Sequence, residues 1–145
     1  MKELDECFKL RRYIQEKIDT KIFEIKARIE APKNQVITGM PMGHGENVNA
    51  FDRYLIKLER LEKRKSVKEK ELLKKWQFAS SILTENGISK ENISLLRLRY
   101  YKGYQWKRCA KIMATDYPKN KWNLNKCFRE HRSILYIIDK NYLKN

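Results

Sequence analysis

A long stretch without glycine or proline opens the chain and restricts its fold more than any other feature. Residues 3–31 contain neither residue type, so nothing in them interrupts a helix. Apolar residues recur through this stretch mainly at steps of three and four, which places them on one stripe of a helix surface. They are Leu4, Cys7, Phe8, Leu10, Ile14, Ile18, Ile22, Ile25 and Ile29. The pattern predicts a single long helix that ends near Pro32.

The next segment, residues 31–49, holds two prolines and three glycines and is predicted to be a loop. Its MPMGHG sequence lacks the pattern of a phosphate-binding loop. A second long helix is predicted over residues 48–85, where apolar residues again recur at steps of three and four. Two long helices joined by a loop favour an antiparallel hairpin, in which residues 48–61 pair with residues 14–31.

An apolar stripe near the end of the second helix lies beyond the reach of the first helix and must be buried by another surface. Charged residues interrupt the apolar stripe over residues 62–71, and the stripe then resumes. Either a second chain or the C-terminal part of the same chain must cover it. We therefore expect the hairpin to self-associate, with a dimer as the usual small assembly. The residues of this second stripe are Leu72, Trp76, Ala79 and Leu83.

The charge of the chain is concentrated after a helix stop at Asn86-Gly87. Residues 86–145 carry 14 basic and 4 acidic side chains, a net charge of +10. Residues 1–85 carry 19 and 14, a net charge of +5. Such a density of positive charge attracts polyanions, most commonly nucleic acid. We therefore expect a self-associating hairpin over residues 1–85 and a nucleic-acid-binding domain over residues 86–145.

Three shorter helices are predicted in this second domain. Ser89 can cap a helix that runs to Tyr101, and Gly103 can stop it with a positive φ angle. A second helix begins at Trp106, and Asn123 can cap a third. The third helix has an apolar face and an outer face rich in basic and amide groups, which is typical of a helix-turn-helix. The whole chain is thus predicted to be all-α: a long N-terminal helical hairpin or coiled coil, then a three-helix helix-turn-helix unit.

The C-terminal residues resemble a known family. The segments LLRLRYYKGYQWKRCAKIM and NLNKCFREHRSIL resemble the helix-turn-helix of sigma-factor region 4. They are most similar to phage-encoded regulators that carry this unit behind a coiled coil, including the RinA/ArpU-type late transcription regulators. The resemblance implies sequence-specific binding of double-stranded DNA, regulation of phage or prophage genes, and host RNA polymerase as a further partner. The matching residues are Leu98, Arg99, Tyr100, Gly103, Trp106, Ala110, Arg129, His131 and Arg132.

Two sets of side chains are candidates for contacts with DNA. Amide and basic residues near the start of a recognition helix suit base edges in the major groove; these are Asn123, Asn125, Lys126 and Arg129. Other basic residues suit phosphates, which position a protein without reading sequence; these are Lys107, Arg108, Lys111, Lys119, Lys121 and Arg132. Trp106, His131, Cys109 and Cys127 are expected in the core, whereas Trp122 could stack on a base or belong to the core.

Other classes of function find little support in the sequence. No spacing of cysteine and histidine is typical of zinc ligands, and no nucleophile–base pair or glycine-rich phosphate loop is recognisable. We expect no enzymatic activity, no metal and no cofactor. The chain lacks an apolar run that could span a bilayer, so a cytoplasmic protein without membrane contact is expected. Two alternatives stay open: a DNA-packaging protein like a small terminase subunit, and a protein-interaction module that binds RNA polymerase or another acidic partner.

Overall fold

The structure, a computed structural model, describes residues 1–30 and 44–144. Every regular element in these two ranges is helical, which confirms the predicted all-α class. None of the described helices is both long enough and apolar enough to cross a bilayer. Residues 31–43 of the predicted loop lie outside the described residues. The α-helices of the described part are α1 (Lys2–Tyr13), α2 (Thr20–Ile29), α3 (His44–Glu85), α4 (Lys90–Leu96), α5 (Trp106–Asp116) and α6 (Leu124–Lys144).

The predicted first helix is continuous from Lys2 to Ile29, but a π-helical turn interrupts its regularity. This turn, Ile14–Asp19, connects α1 to α2 without leaving helical backbone angles. Ile14 and Ile18 within it are fully buried. In α2, by contrast, no residue is fully buried. The apolar stripe therefore packs most tightly along the first half of the helix.

The long helix α3 begins at His44, four residues before the predicted start, and ends at Glu85 as predicted. Side-chain contacts within residues 13–69 show an antiparallel pair. Asp19 forms a salt bridge of 2.7 Å with Lys65, and the Arg28 guanidinium lies 5.9 Å from the ring centroid of Tyr54. Later residues of the first helix thus meet earlier residues of α3. The predicted antiparallel hairpin is present in this part of the chain.

Local capping explains where the next helices begin and end. Gly87 has a φ angle of 76°, and hydrogen bonds from Gly87 N to Thr84 O and from Ile88 N to Leu83 O close the end of α3. The Ser89 hydroxyl accepts a hydrogen bond from Asn92 N and caps α4. A second π-helical turn, Arg97–Tyr101, extends α4, and Gly103 at a φ of 73° then ends it. The stops at Gly87 and Gly103 and the Ser89 cap agree with the sequence-based predictions.

The packing divides the chain elsewhere than at the expected boundary of 85/86. One compact unit comprises Met1–Arg12 and Lys70–Asn145, and the other comprises Tyr13–Glu69. The physical reason is burial: the second stripe packs within the first unit, where the Trp76 and Tyr101 ring centroids are 6.1 Å apart. Leu72, Ala79 and Leu83 are fully buried there. The C-terminal part of the same chain therefore helps to cover this stripe.

Helix α1 also belongs to this first unit. The Phe8 and Tyr100 rings meet edge to face with centroids 6.1 Å apart, and the Arg11 guanidinium donates a hydrogen bond of 2.7 Å to Tyr101 O. The Glu6 carboxylate lies 3.7 Å from the Lys75 ammonium. The two tyrosines before Gly103 thus anchor α1 to the π-helical turn that extends α4.

Candidate nucleic-acid interface

Helix α6 separates an apolar inner face from a polar outer face. Its fully or nearly fully buried side chains are Cys127, Ile134 and Ile138. Asn125 and Arg129, four residues apart and therefore on one side of the helix, are exposed on the opposite face. Arg132 and Tyr136 are exposed on the same side. This face agrees with the predicted outer face, except at Lys126.

Asn123 and Lys126, both predicted to read bases, make contacts within the protein. The Asn123 side-chain oxygen accepts a hydrogen bond of 2.8 Å from Lys126 N, so Asn123 caps α6 as predicted. The Lys126 ammonium donates to Asn120 O at 2.5 Å and lies 4.5 Å from the Trp122 ring centroid. The two side chains hold the start of α6 in place, whereas Asn125 and Arg129 extend outward from it.

The turn before α6 is longer than a few residues and has a defined internal structure. A 3-10 helix, Pro118–Asn120, is followed by Lys121 in the left-handed region at a φ of 51°. Trp122 is buried, which decides the open question of its role in favour of the core. Its indole N–H donates to the carboxylate of Glu91 in the first turn of α4. The same carboxylate accepts a hydrogen bond of 2.8 Å from the Asn120 amide.

The predicted phosphate-binding cations all lie at the surface of the C-terminal helices and their turn. On α5 the Arg108 guanidinium stacks on the Tyr104 ring at 3.8 Å from its centroid, and this contact restricts the orientation of the Arg108 side chain. The others leave their charges in solvent, where a polyanion could reach them. The exposed residues of the set are Lys107, Arg108 and Lys111 on α5, Lys119 and Lys121 in the turn, and Arg132 on α6.

A small buried core supports this surface. Cys109 and Cys127 are fully buried in it, as expected for small apolar side chains. Burial, with a smaller effect of Cys127, raises the pKa of the Cys109 thiol to about 11. The core therefore fixes α5 against α6 with protonated thiols at neutral pH. Its members are Leu95, Cys109, Ala110, Met113, Trp122 and Cys127.

Beside this core, a cluster of aromatic rings lies between α6 and the preceding helices. The His131 ring stacks on Tyr100 and meets Trp106 edge to face, with centroid distances of 5.8 and 4.9 Å. His131 Nε2 is 2.6 Å from the Tyr100 hydroxyl oxygen, as expected of a packed, hydrogen-bonded residue. The Arg99 guanidinium lies between Phe8 and Trp106, 4.8 and 5.2 Å from the two ring centroids. Cation–π contacts of this kind stabilise a partly desolvated charge.

No pattern in the sequence distinguishes Glu91 as a residue of this site. An acidic residue in the first turn of a helix is common because it interacts favourably with the helix dipole, so its contacts with the distant turn were not predicted. Among the described residues, no three histidine, cysteine or acidic side chains are arranged to hold a metal ion. The described surface around α5 and α6 instead offers cations and amide groups, which can bind phosphates and base edges. No protein-family model, curated protein or solved structure matches the chain.

Proposed function

We propose that the chain binds double-stranded DNA through α5, the turn and α6, in the manner of a helix-turn-helix. The observation that carries the proposal is the two-sided character of α6: Asn125 and Arg129 are exposed, and Cys127, Ile134 and Ile138 are buried. An α-helix fits the major groove, and its exposed side chains near the N-terminus then face the base edges. Exposed cations on α5 and in the turn suit the flanking phosphates.

The two sets of candidate residues take different roles in this proposal. Asn125 can pair with adenine and Arg129 with guanine, since both side chains can make two hydrogen bonds with these bases. Asn123 and Lys126 contribute indirectly, because they hold the first turn of α6. Phosphate contacts are assigned to Lys107, Arg108, Lys111, Lys119, Lys121 and Arg132.

The biological role follows from the resemblance described above. A region-4-like unit in a phage regulator implies transcription control of phage or prophage genes in the cytoplasm, with host RNA polymerase as a second partner. The strong positive charge of residues 86–145 supports binding to nucleic acid. A role in DNA packaging would use the same surface, and the size of the oligomer distinguishes the two.

A salt titration tests the DNA-binding proposal. The affinity for a fluorescent random-sequence duplex is measured by anisotropy at increasing salt concentrations. If about four to six phosphates are neutralised, log K against log salt should have a slope of about −4 to −5. Lys57→Ala, an exposed cation of α3, serves as the control for charge alone. An affinity that does not change with salt would contradict phosphate binding.

A second candidate function rests on the far end of α6. Tyr136, Tyr142 and Leu143 are 66%, 81% and 85% exposed, and aromatic side chains are enriched at protein interfaces. These residues favour a protein partner with an acidic rim. Binding of purified RNA polymerase in the absence of DNA, lost in Tyr136→Ala, is the expected result. Polymerase binding that is unaffected by this substitution argues against the second candidate.

A further inference from the structure

We infer that Glu91 is a positioning residue that holds the turn 117–123 in the shape that presents Lys119 and Lys121 to DNA phosphates. The inference rests on the proposed DNA-binding function and adds a residue that contacts no DNA itself. Glu91 belongs to α4, outside the two helices proposed to meet DNA. Its role is to fix the backbone between them.

The carboxylate of Glu91 binds the turn at two places. Its Oε2 accepts a hydrogen bond of 2.8 Å from Asn120 Nδ2, and its Oε1 accepts one from Trp122 Nε1. These two donors flank Lys121, the residue with left-handed backbone angles. A non-glycine residue in this region is strained, and it persists where the surrounding contacts determine it. The two hydrogen bonds to the Glu91 carboxylate hold the residues on both sides of Lys121 and so stabilise its left-handed backbone conformation.

Further contacts fix the remainder of the turn. The Tyr117 hydroxyl lies 3.2 Å from the Ser94 hydroxyl of α4, at the start of the turn. The Lys126 ammonium binds Asn120 O and covers the Trp122 ring. The turn is thus connected to α4 at its start, through Tyr117, and to both α4 and α6 in its middle, through Glu91 and Lys126. Glu91 is the residue that joins the middle of the turn to α4.

Loss of Glu91 would leave the indole N–H of buried Trp122 without this acceptor, and it would free the Asn120 amide. The turn would then loosen, so that water can reach the indole N–H and accept its hydrogen bond. Lys119 and Lys121 would then have to be ordered on binding, which weakens their phosphate contacts. We therefore expect fewer effective phosphate contacts even though every lysine is still present.

The test compares the salt dependence of DNA binding for the full chain and three variants. Asn120→Ala breaks one hydrogen bond to Glu91 without changing the net charge. Glu91→Gln removes one charge and leaves one acceptor oxygen in place. Glu130→Gln is the matched control, because the Glu130 carboxylate accepts a hydrogen bond of 3.2 Å from Asn92 and also connects α6 to α4, but away from the turn.

The expected result separates the variants by their salt slopes. Asn120→Ala and Glu91→Gln should have slopes shallower than the wild-type slope by about one to two units, corresponding to one or two lost phosphates. Glu130→Gln should keep the wild-type slope, although it carries the same charge change as Glu91→Gln. Thermal unfolding identifies a variant that has lost its fold, and in that case the other turn variant decides the question.

Two negative outcomes have different meanings. If the wild-type chain binds duplex DNA with a steep salt slope and both turn variants keep that slope, the positioning role of Glu91 is wrong and the proposed function stands. If the wild-type chain shows no affinity for duplex DNA at low salt, the proposed function fails, and the positioning role fails with it.

Discussion

His131 shows how one side chain of α6 couples stability to pH. Burial first, and then the positive charge of Arg99, lower the pKa of His131 from its ordinary value of 6.5. The negative charge of Asp5 acts in the opposite direction and is the smallest of the effects on this pKa. The unfolded chain therefore takes up a proton at a higher pH than the folded chain does. As the pH falls below 6.5, the unfolded chain binds more protons than the folded chain, so the free energy of unfolding must decrease in that range.

Denaturant unfolding between about pH 5.5 and pH 7.5 measures this effect, since few other side chains titrate there. The midpoint should decrease toward the acidic end of the range. His131→Gln should flatten the dependence, whatever its effect on the stability at neutral pH. A wild-type midpoint that is constant over this range would show that protonation of His131 does not oppose folding.

Asn125 and Arg129 provide the sharpest test of base reading. Both are exposed, so Asn125→Ala and Arg129→Ala should leave the fold intact. Each should weaken binding to the best DNA site by about 1–3 kcal/mol, because a pair of hydrogen bonds to a base is lost. Affinity for a site selected from random duplexes measures the effect.

Lys107→Ala is the control for these two substitutions, because an exposed lysine on α5 is expected to contact only phosphate. It should weaken binding to all sequences alike and make the salt slope shallower by about one. If the double variant Asn125→Ala/Arg129→Ala binds the selected site as tightly as the wild type, α6 does not read bases.

At the scale of the elements, the helix ends were predictable and the docking of the helices was not. Ser89, Asn123, Gly87 and Gly103 act on backbone groups within a few residues of themselves, so the local sequence contains the information. The contact of Arg11 with Tyr101 joins residues 90 positions apart. Periodicity reveals that α1 has an apolar stripe, but it does not reveal which helices that stripe meets.

The role of α1 in the first unit can be measured with a single substitution. Leu4 is fully buried in α1, and Leu4→Ala should destabilise the unit by about 2–5 kcal/mol. The three tryptophans, Trp76 of α3, Trp106 of α5 and Trp122 of the turn before α6, all belong to this unit and report its unfolding through their fluorescence. Lys9→Ala, an exposed position of the same helix, should change little. A tryptophan transition unaffected by Leu4→Ala would mean that the C-terminal helices fold without α1.

At the scale of the whole molecule, the apolar surface available for self-association lies on the second unit and not on the stripe from which self-association was predicted. The stripe that suggested a second chain, Leu72, Trp76, Ala79 and Leu83, is buried within one chain. The second unit has apolar side chains that are not covered to the same degree: Phe51, Leu55 and Ile56 are 44%, 42% and 50% exposed. Self-association through the hairpin stays a prediction, and these residues of α3 are now its best candidates.

Light scattering at protein concentrations of about tens of micromolar tests this prediction, with a dimer as the expected result. Phe51 and Leu55 are four residues apart and share one side of α3, so Leu55→Glu should favour the monomer. Lys57→Glu, a neighbouring exposed position with an even larger charge change, should leave the dimer intact. A wild-type chain that is monomeric throughout would remove self-association from the proposed function.

The π-helical turn Arg97–Tyr101 has a consequence for changes in chain length. Its hydrogen bond from Lys102 N to Arg97 O spans one residue more than an α-helical bond does, so the turn contains one surplus residue. Removing a residue elsewhere in a helix rotates everything after it by about 100°. Removing exposed Arg97 would instead restore an ordinary α-helical turn, and the side chains on either side would keep their facing directions. A one-residue deletion in this region should therefore be tolerated best at this turn.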